Sequence, residues 1–139
     1  MNFKAVFIFV TSVLLTLTTS AQTWTQQGSD IDGEAAGDYS GGAVSLSSDG
    51  STVAIGARYN DGNGTNAGHV RIYKNISGTW TQQGSDINGE AALDNFGGAV
   101  SLSSDGSTVA IGAYYNDGNG TDAGHVRVYT LCSGTLYSI

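Results

Sequence analysis

Small or polar residues alternate with bulky apolar ones through most of this chain, and the alternation has the period of two that marks a half-buried strand. Val44 and Leu46 alternate with Ala43, Ser45 and Ser47; Val53 and Ile55 alternate with Ala54 and Gly56; Val70 and Ile72 share one side of His69 to Tyr73. Three strands are predicted, over Gly42 to Ser47, Thr52 to Ala57 and His69 to Tyr73. A fourth follows from the β-favouring Thr and Trp of Thr79 to Ser85, and Thr23 to Ser29 is an earlier copy of it. Ser48-Asp49-Gly50-Ser51 has the Asp-Gly chemistry of a tight turn. RYNDGNGTNAG, from Arg58 to Gly68, is a longer loop, and Lys74 to Gly78 turns the chain toward Trp80.

The pattern is written twice. Gly41 to Tyr73 returns 56 positions later as Gly97 to Tyr129, changed only at Arg58/Tyr114, Asn66/Asp122 and Ile72/Val128. Over the wider stretch from Thr23 to Tyr73, 44 of 51 residues are identical in Thr79 to Tyr129. A repeat of this size implies a solenoid, a propeller or an array. Each unit reads as a four-stranded antiparallel meander, with Val44, Leu46, Val53, Ile55, Val70 and Ile72 on a bulky face and Ala, Gly and Ser on the other. Burying a bulky side chain contributes about 1.5–3 kcal/mol, whereas ordering each residue costs about 1–2 kcal/mol. One unit is therefore not expected to fold alone; stacking the bulky face of one on the small face of the next buries both.

Composition sharpens this picture. Of 139 residues, 21 are glycine, none is proline and only 12% are charged, as expected of many short strands and tight turns. A formal charge of −7 argues against nucleic acid, whose phosphates need a basic surface. Residues 1–21, with Lys4 ahead of an apolar run and small residues at Thr19 and Ala21, read as a secretory signal peptide, so a secreted or cell-surface protein with no membrane span after cleavage is expected. The single cysteine, Cys132, has no partner for an internal disulfide.

Phe96-Gly97 at the head of the second unit, Gly112-Ala113 at the end of its second strand, and Gly41, Gly56 and Ala57 in the first resemble the FG-GAP repeats of integrin α-like β-propellers. WTQQGSDI, GGAVSLSSDGSTVAIGA, NDGNG and AGHVR(I/V)Y are also similar to repeats of secreted bacterial proteins. The resemblance implies an all-β fold of antiparallel four-stranded propeller blades, here two repeats of 56 residues in a partial ring. A closing strand is expected at 23–31, blade one at 41–87 and blade two at 97–139. The last strand of blade two is degenerate, since SGTLYSI replaces SGTWTQQ. The resemblance further implies a binding or adhesion module for a protein or glycan ligand on a cell surface or in the matrix. Two departures stand out. Ser40 replaces the family Phe in unit one, and the short Ser48 to Ser51 turn occupies the place of the family's calcium loop, so calcium is not carried over there.

Candidate chemistry is sparse. Asp61, Asn63 and Thr65, with their copies Asp117, Asn119 and Thr121, set oxygen side chains at alternate positions of a glycine-rich loop, as hard cations such as calcium favour. The same residue types also serve turns. His69 and His125 occupy equivalent positions and read as architectural, and Trp24 and Trp80 read as packing between blades. No nucleophile elbow, phosphate loop or zinc signature occurs. The expected function is non-enzymatic binding; a propeller-type polysaccharide hydrolase or lyase using Asp38 and Asp94 in a central cleft, or an inactive fragment of a longer repeat protein, are the alternatives. Strand alternation places ten acids (Asp30, Asp32, Glu34, Asp38, Asp61, Asp86, Glu90, Asp94, Asp117 and Asp122) on one side of the stack and leaves Asp49 and Asp105 on the other. That side is expected to attract calcium or a basic partner. Open blade edges are expected to promote self-association, with Thr23 to Ser29 docking on the last blade.

Overall fold

The computed structural model describes residues 20–132. Its strands are β1 (Ala43–Leu46), β2 (Thr52–Ala57), β3 (His69–Ile76), β4 (Thr79–Gln82), β5 (Ile87–Asn88), β6 (Ala99–Leu102), β7 (Thr108–Ala113) and β8 (His125–Thr130). Every strand pairing is antiparallel, in two sheets: β1-β2-β3-β4, with β5 also on β3, and β6-β7-β8. These are two blades of a partial propeller. The expected turns form as well. Gly50 takes a φ of 71°, and Asp49 accepts from the Ser47 hydroxyl at 2.6 Å and the Ser51 N–H at 3.0 Å.

Two strand expectations need correction. The fourth strand of blade one is divided: Gln83 still donates its N–H to the Ile72 carbonyl at 2.7 Å, residues 84–86 then step away from the ladder, and β5 rejoins β3 at Val70 and His69. Thr23 to Ser29 carries no strand structure, and residues 20–30 are exposed. A strand needs an edge to pair with. The edge of β3 that this segment's sequence matches is already taken by β4 and β5, and the corresponding edge, that of β8, belongs to blade two. The degenerate strand predicted from Ser133 to Ile139 lies outside the described residues, as does most of the predicted signal peptide.

Register corrects the predicted faces. Val44 lies opposite Ile55 and Leu46 opposite Val53, but Ala54 lies opposite Ile72 and Gly56 opposite Val70. Directly paired residues share a face, so Val70 and Ile72 sit with Ala43, Ser45, Ala54 and Gly56, while Arg71 and Tyr73 sit with Val44, Leu46, Val53 and Ile55. Each blade therefore has a fully bulky face on its first two strands and a face on which only the third strand is bulky.

The stacking itself forms as expected. The small face of blade one, raised at Val70, Ile72 and Ile87, packs on Val100, Leu102, Val109, Ile111 and Tyr129 of blade two, with Phe96 fully buried between them. Polar contacts fix the alignment: Leu102 N–H donates to Ser45 Oγ at 2.9 Å, and Ser48 N–H to the Ser104 carbonyl at 2.9 Å. The closest approach is backbone to backbone. A Cβ on Gly56 would stand 2.1 Å from the Gly97 carbonyl oxygen, so glycine alone fits there.

Candidate functional site

The two sides of the blade stack use their acids differently. On the side with few acids, Asp49 and Asp105 each accept from two serines and a backbone N–H, and these bonds hold both carboxyls at a pKa of about 2. They are turn fasteners.

On the other side the acids form clusters. His69 and Arg71 stand two residues apart on β3 and so share a face. Glu34, from the segment before β1, and Asp86, from the step between β4 and β5, close on them. Arg71 binds Asp86 through both carboxylate oxygens at 2.8 Å and also pairs with Glu34. Gln82 adds a bond to Asp86 at 2.7 Å. Hydrogen bonding to Arg71, first of all, lowers the Asp86 pKa, and the Asp86 bonds raise that of Arg71. His69 is buried, with Nδ1 lacking any hydrogen bond at 3.7 Å from Glu34 and 3.8 Å from Asp86. Burial, then Arg71, lowers its pKa, against the pull of the carboxylates.

Glu34, His69 and Asp86 bring three potential ligand atoms within 4.8 Å of one another. Both carboxylates, however, are already engaged by the Arg71 guanidinium. A divalent ion would have to displace an arginine held by bidentate bonding, so this donor set does not fit a resident metal. Beside it, Asn60 Nδ2 donates to Asp38 at 2.8 Å and to Glu34 at 3.1 Å, tying the loop before β1 to the loop after β2.

Blade two repeats the cluster in reduced form. Arg127 pairs with Glu90, His125 Nδ1 lies 3.8 Å from Glu90, and Asn116 donates to Asp94 at 2.8 Å. No counterpart of Asp86 reaches Arg127 among the described residues. Its guanidinium instead donates to the Tyr129 hydroxyl at 3.1 Å and lies 5.8 Å from the centre of the Phe96 ring.

Phe96 and Gly97 of one blade close against Gly56 and Gly68 of the blade before it. The buried ring sits in the inter-blade core, and a Cβ on Gly68 would lie 2.1 Å from the Phe96 carbonyl oxygen. A Phe-Gly pair thus meets a Gly-Ala pair across the blade junction, although the first unit carries Ser40 in place of the Phe. The FG-GAP repeat model matches residues 24–73 and again 80–129. The chain belongs to the FG-GAP repeat family. No curated protein matches it.

The FG-GAP fold places the predicted calcium residues in exposed loops on the acid-rich side. Asp61 Oδ1 accepts the Asn66 N–H at 2.7 Å, Asn63 Nδ2 donates to the Gly89 carbonyl at 2.7 Å, and the Thr65 carbonyl accepts the Leu93 N–H at 2.8 Å. In the second FG-GAP unit Asp117 Oδ1 accepts the Asp122 N–H at 2.8 Å, while Asn119 and Thr121 are exposed. The residues of each triplet stay in one loop, and their backbone bonds show how Asp, Asn and Gly shape it. Asp38 and Asp94 are buried, each on its asparagine, rather than open in a cleft. Trp24 is fully exposed, and the Trp80 indole N–H donates to the Gln27 carbonyl at 2.8 Å, so neither ring packs between the two blades. Sequence patterns did not single out the Arg71 cluster, because Glu34 and Asp86 lie far from it along the chain. The available signal is His-x-Arg on one strand face, repeated at the same spacing from Glu34 and Glu90.

Proposed function

We propose that this chain is a secreted or cell-surface binding or adhesion module without enzymatic activity, which presents the acid-rich side of its FG-GAP blades to a protein or glycan ligand. One observation carries this reading. Loops rich in exposed carboxylates and amides project from a base fastened by the Arg71–Asp86–Glu34 and Arg127–Glu90 ion pairs. Exposed loops on a firm base are a binding architecture, and the excess of carboxylates favours a basic protein segment or a cation-bridged glycan. Calcium at Asp61, Asn63 and Thr65, and at Asp117, Asn119 and Thr121, is the cofactor in keeping with this reading.

The test is an immobilised-ligand screen of the protein from Gln22 onward, using basic peptides and a glycan array with and without millimolar calcium. Retention that weakens with salt and disappears in an Asp61→Asn, Asp117→Asn double variant supports the reading. Release of shortened sugar products would replace it with an enzymatic one. Calorimetry without calcium heat, together with a melting temperature unchanged by chelator, removes calcium and leaves the direct ligand.

A further inference from the structure

The two ends of the blade stack are the two halves of the junction at its middle. At one end blade one exposes Val44 and Leu46, 56% and 57% accessible, on the type of face that Val100 and Leu102 present inside the junction. At the other end blade two exposes Val126 and Val128, 67% and 64% accessible, on the type of face that Val70 and Ile72 present inside it. The glycine fit is repeated too. Gly112, the counterpart of Gly56, has only ordinary contacts for a Cβ, the nearest at 3.4 Å, and Gly41, the counterpart of Gly97, has nothing within 4 Å.

A charge relation points the same way. Arg71 is held by Asp86, which Gln82 supports at 2.7 Å; Arg127 lacks such an aspartate among the described residues. The residues 56 positions before Gln82 and Asp86 are Gln26 and Asp30. They already form the same pair, with Gln26 Nε2 donating to Asp30 at 2.8 Å, on an exposed segment that has no strand partner. In the register of the first junction, a second copy's blade one stacked on blade two would lay its 23–31 segment along the edge of β8 and bring its Asp30 to Arg127.

We propose that this chain assembles head to tail with further copies of itself: the Val126/Val128 face of one copy receives the Val44/Leu46 face of the next, whose Asp30 completes the Glu90–His125–Arg127 cluster. Successive identical junctions of this heterologous kind close into a ring when their rotation allows. At the two described blades per copy, a propeller of about four to eight blades corresponds to about two to four copies. The new junction differs from the internal one at two core positions, Ser40 for Phe96 and Val128 for Ile72, and is correspondingly weaker.

Sedimentation velocity across a wide concentration range tests this with the full mature protein. The expected result is a concentration-dependent shift from the single chain to a closed species of about two to four copies. Gly112→Ala has room in the single chain but places a Cβ where the internal junction tolerates none, and so is expected to keep the circular dichroism spectrum and abolish the shift. Asp30→Asn is expected to raise the concentration for half-assembly at least about tenfold, the loss expected for one partner of a desolvated ion pair. Val128→Asp checks the apolar contact should Gly112→Ala fail to fold. A single-chain mass at every concentration overturns the proposal and leaves the two faces to a different protein. Assembly unchanged in Gly112→Ala, Val128→Asp and Asp30→Asn overturns it equally, since the contact then lies elsewhere.

Discussion

Val70 and Val126 occupy the same position of nearly identical repeats, yet Val70 is 0% accessible and Val126 is 67% accessible. Ala54 is completely buried, whereas its counterpart Ala110 is only partly so. On the opposite faces the order reverses: Ile111 is fully buried and Ile55 is not. The neighbour, not the residue, decides burial in a stacked repeat. Each blade carries two faces for packing, and among the described residues only one face of each packs on another blade. Equivalent substitutions should therefore have unequal effects, and the inequality can be measured.

The largest contrast is expected at the paired glycines. Gly56→Ala sets a Cβ against the Gly97 carbonyl in a junction that cannot yield without separating the blades, and a loss on the order of 4 kcal/mol or more is expected. Gly112→Ala makes only ordinary contacts within the chain and should melt within about 0.5 kcal/mol of the parent. Equal losses in thermal or urea denaturation would mean that the two blades have equivalent surroundings after all.

Phe96 against Ser40 gives a second contrast, set by chemistry as well as place. Phe96 is fully buried among Val70, Val109 and Ile111, and Phe96→Ala should cost about 3–5 kcal/mol. Ser40→Ala, at an exposed position, should cost less than about 0.5 kcal/mol. A loss below 1 kcal/mol for Phe96→Ala would show that the ring does not organise the junction.

The strands, the tight turns and the stacking were legible because period-two alternation and Asp-Gly turns are local signals. The assignment of Val70 and Ile72 to a face was not, since it depends on how β3 registers against β2, and alternation alone leaves that choice open. The strand expected at Thr23 to Ser29 shows a related limit. Its sequence is identical to that of Thr79 to Ser85, but a strand exists only where an edge receives it. Asp61, Asn63 and Thr65 were legible as a loop with oxygen side chains. The Arg71 cluster was not, because it joins residues 34, 69, 71 and 86 through the fold.

A smaller effect follows from the buried histidine. The pKa of His69 is lowered from 6.5 by burial first and Arg71 next, while Asp86, Glu34 and Asp38 pull upward. A lowered folded-state value means that the unfolded chain binds the proton more readily, so stability rises with pH. On acidification the His69 contribution is therefore lost from about pH 6.5 downward, until the folded-state value is passed. Asp86, whose pKa is lowered from 3.8, acts in a separate window below that value. Melting temperature should fall between pH 7 and pH 5.5, with a shallower slope in His69→Asn; identical slopes in parent and variant would assign the effect to other groups.

The unequal burial of equal sequences is tested most directly by thiol labelling in a Cys132→Ser background, comparing Val70→Cys with Val126→Cys in dilute solution. The introduced thiol is expected to react slowly in Val70→Cys, only as the chain opens, and rapidly in Val126→Cys, becoming protected as concentration rises and copies stack. Equal rates for the two variants in dilute solution would contradict the division of roles between the blades.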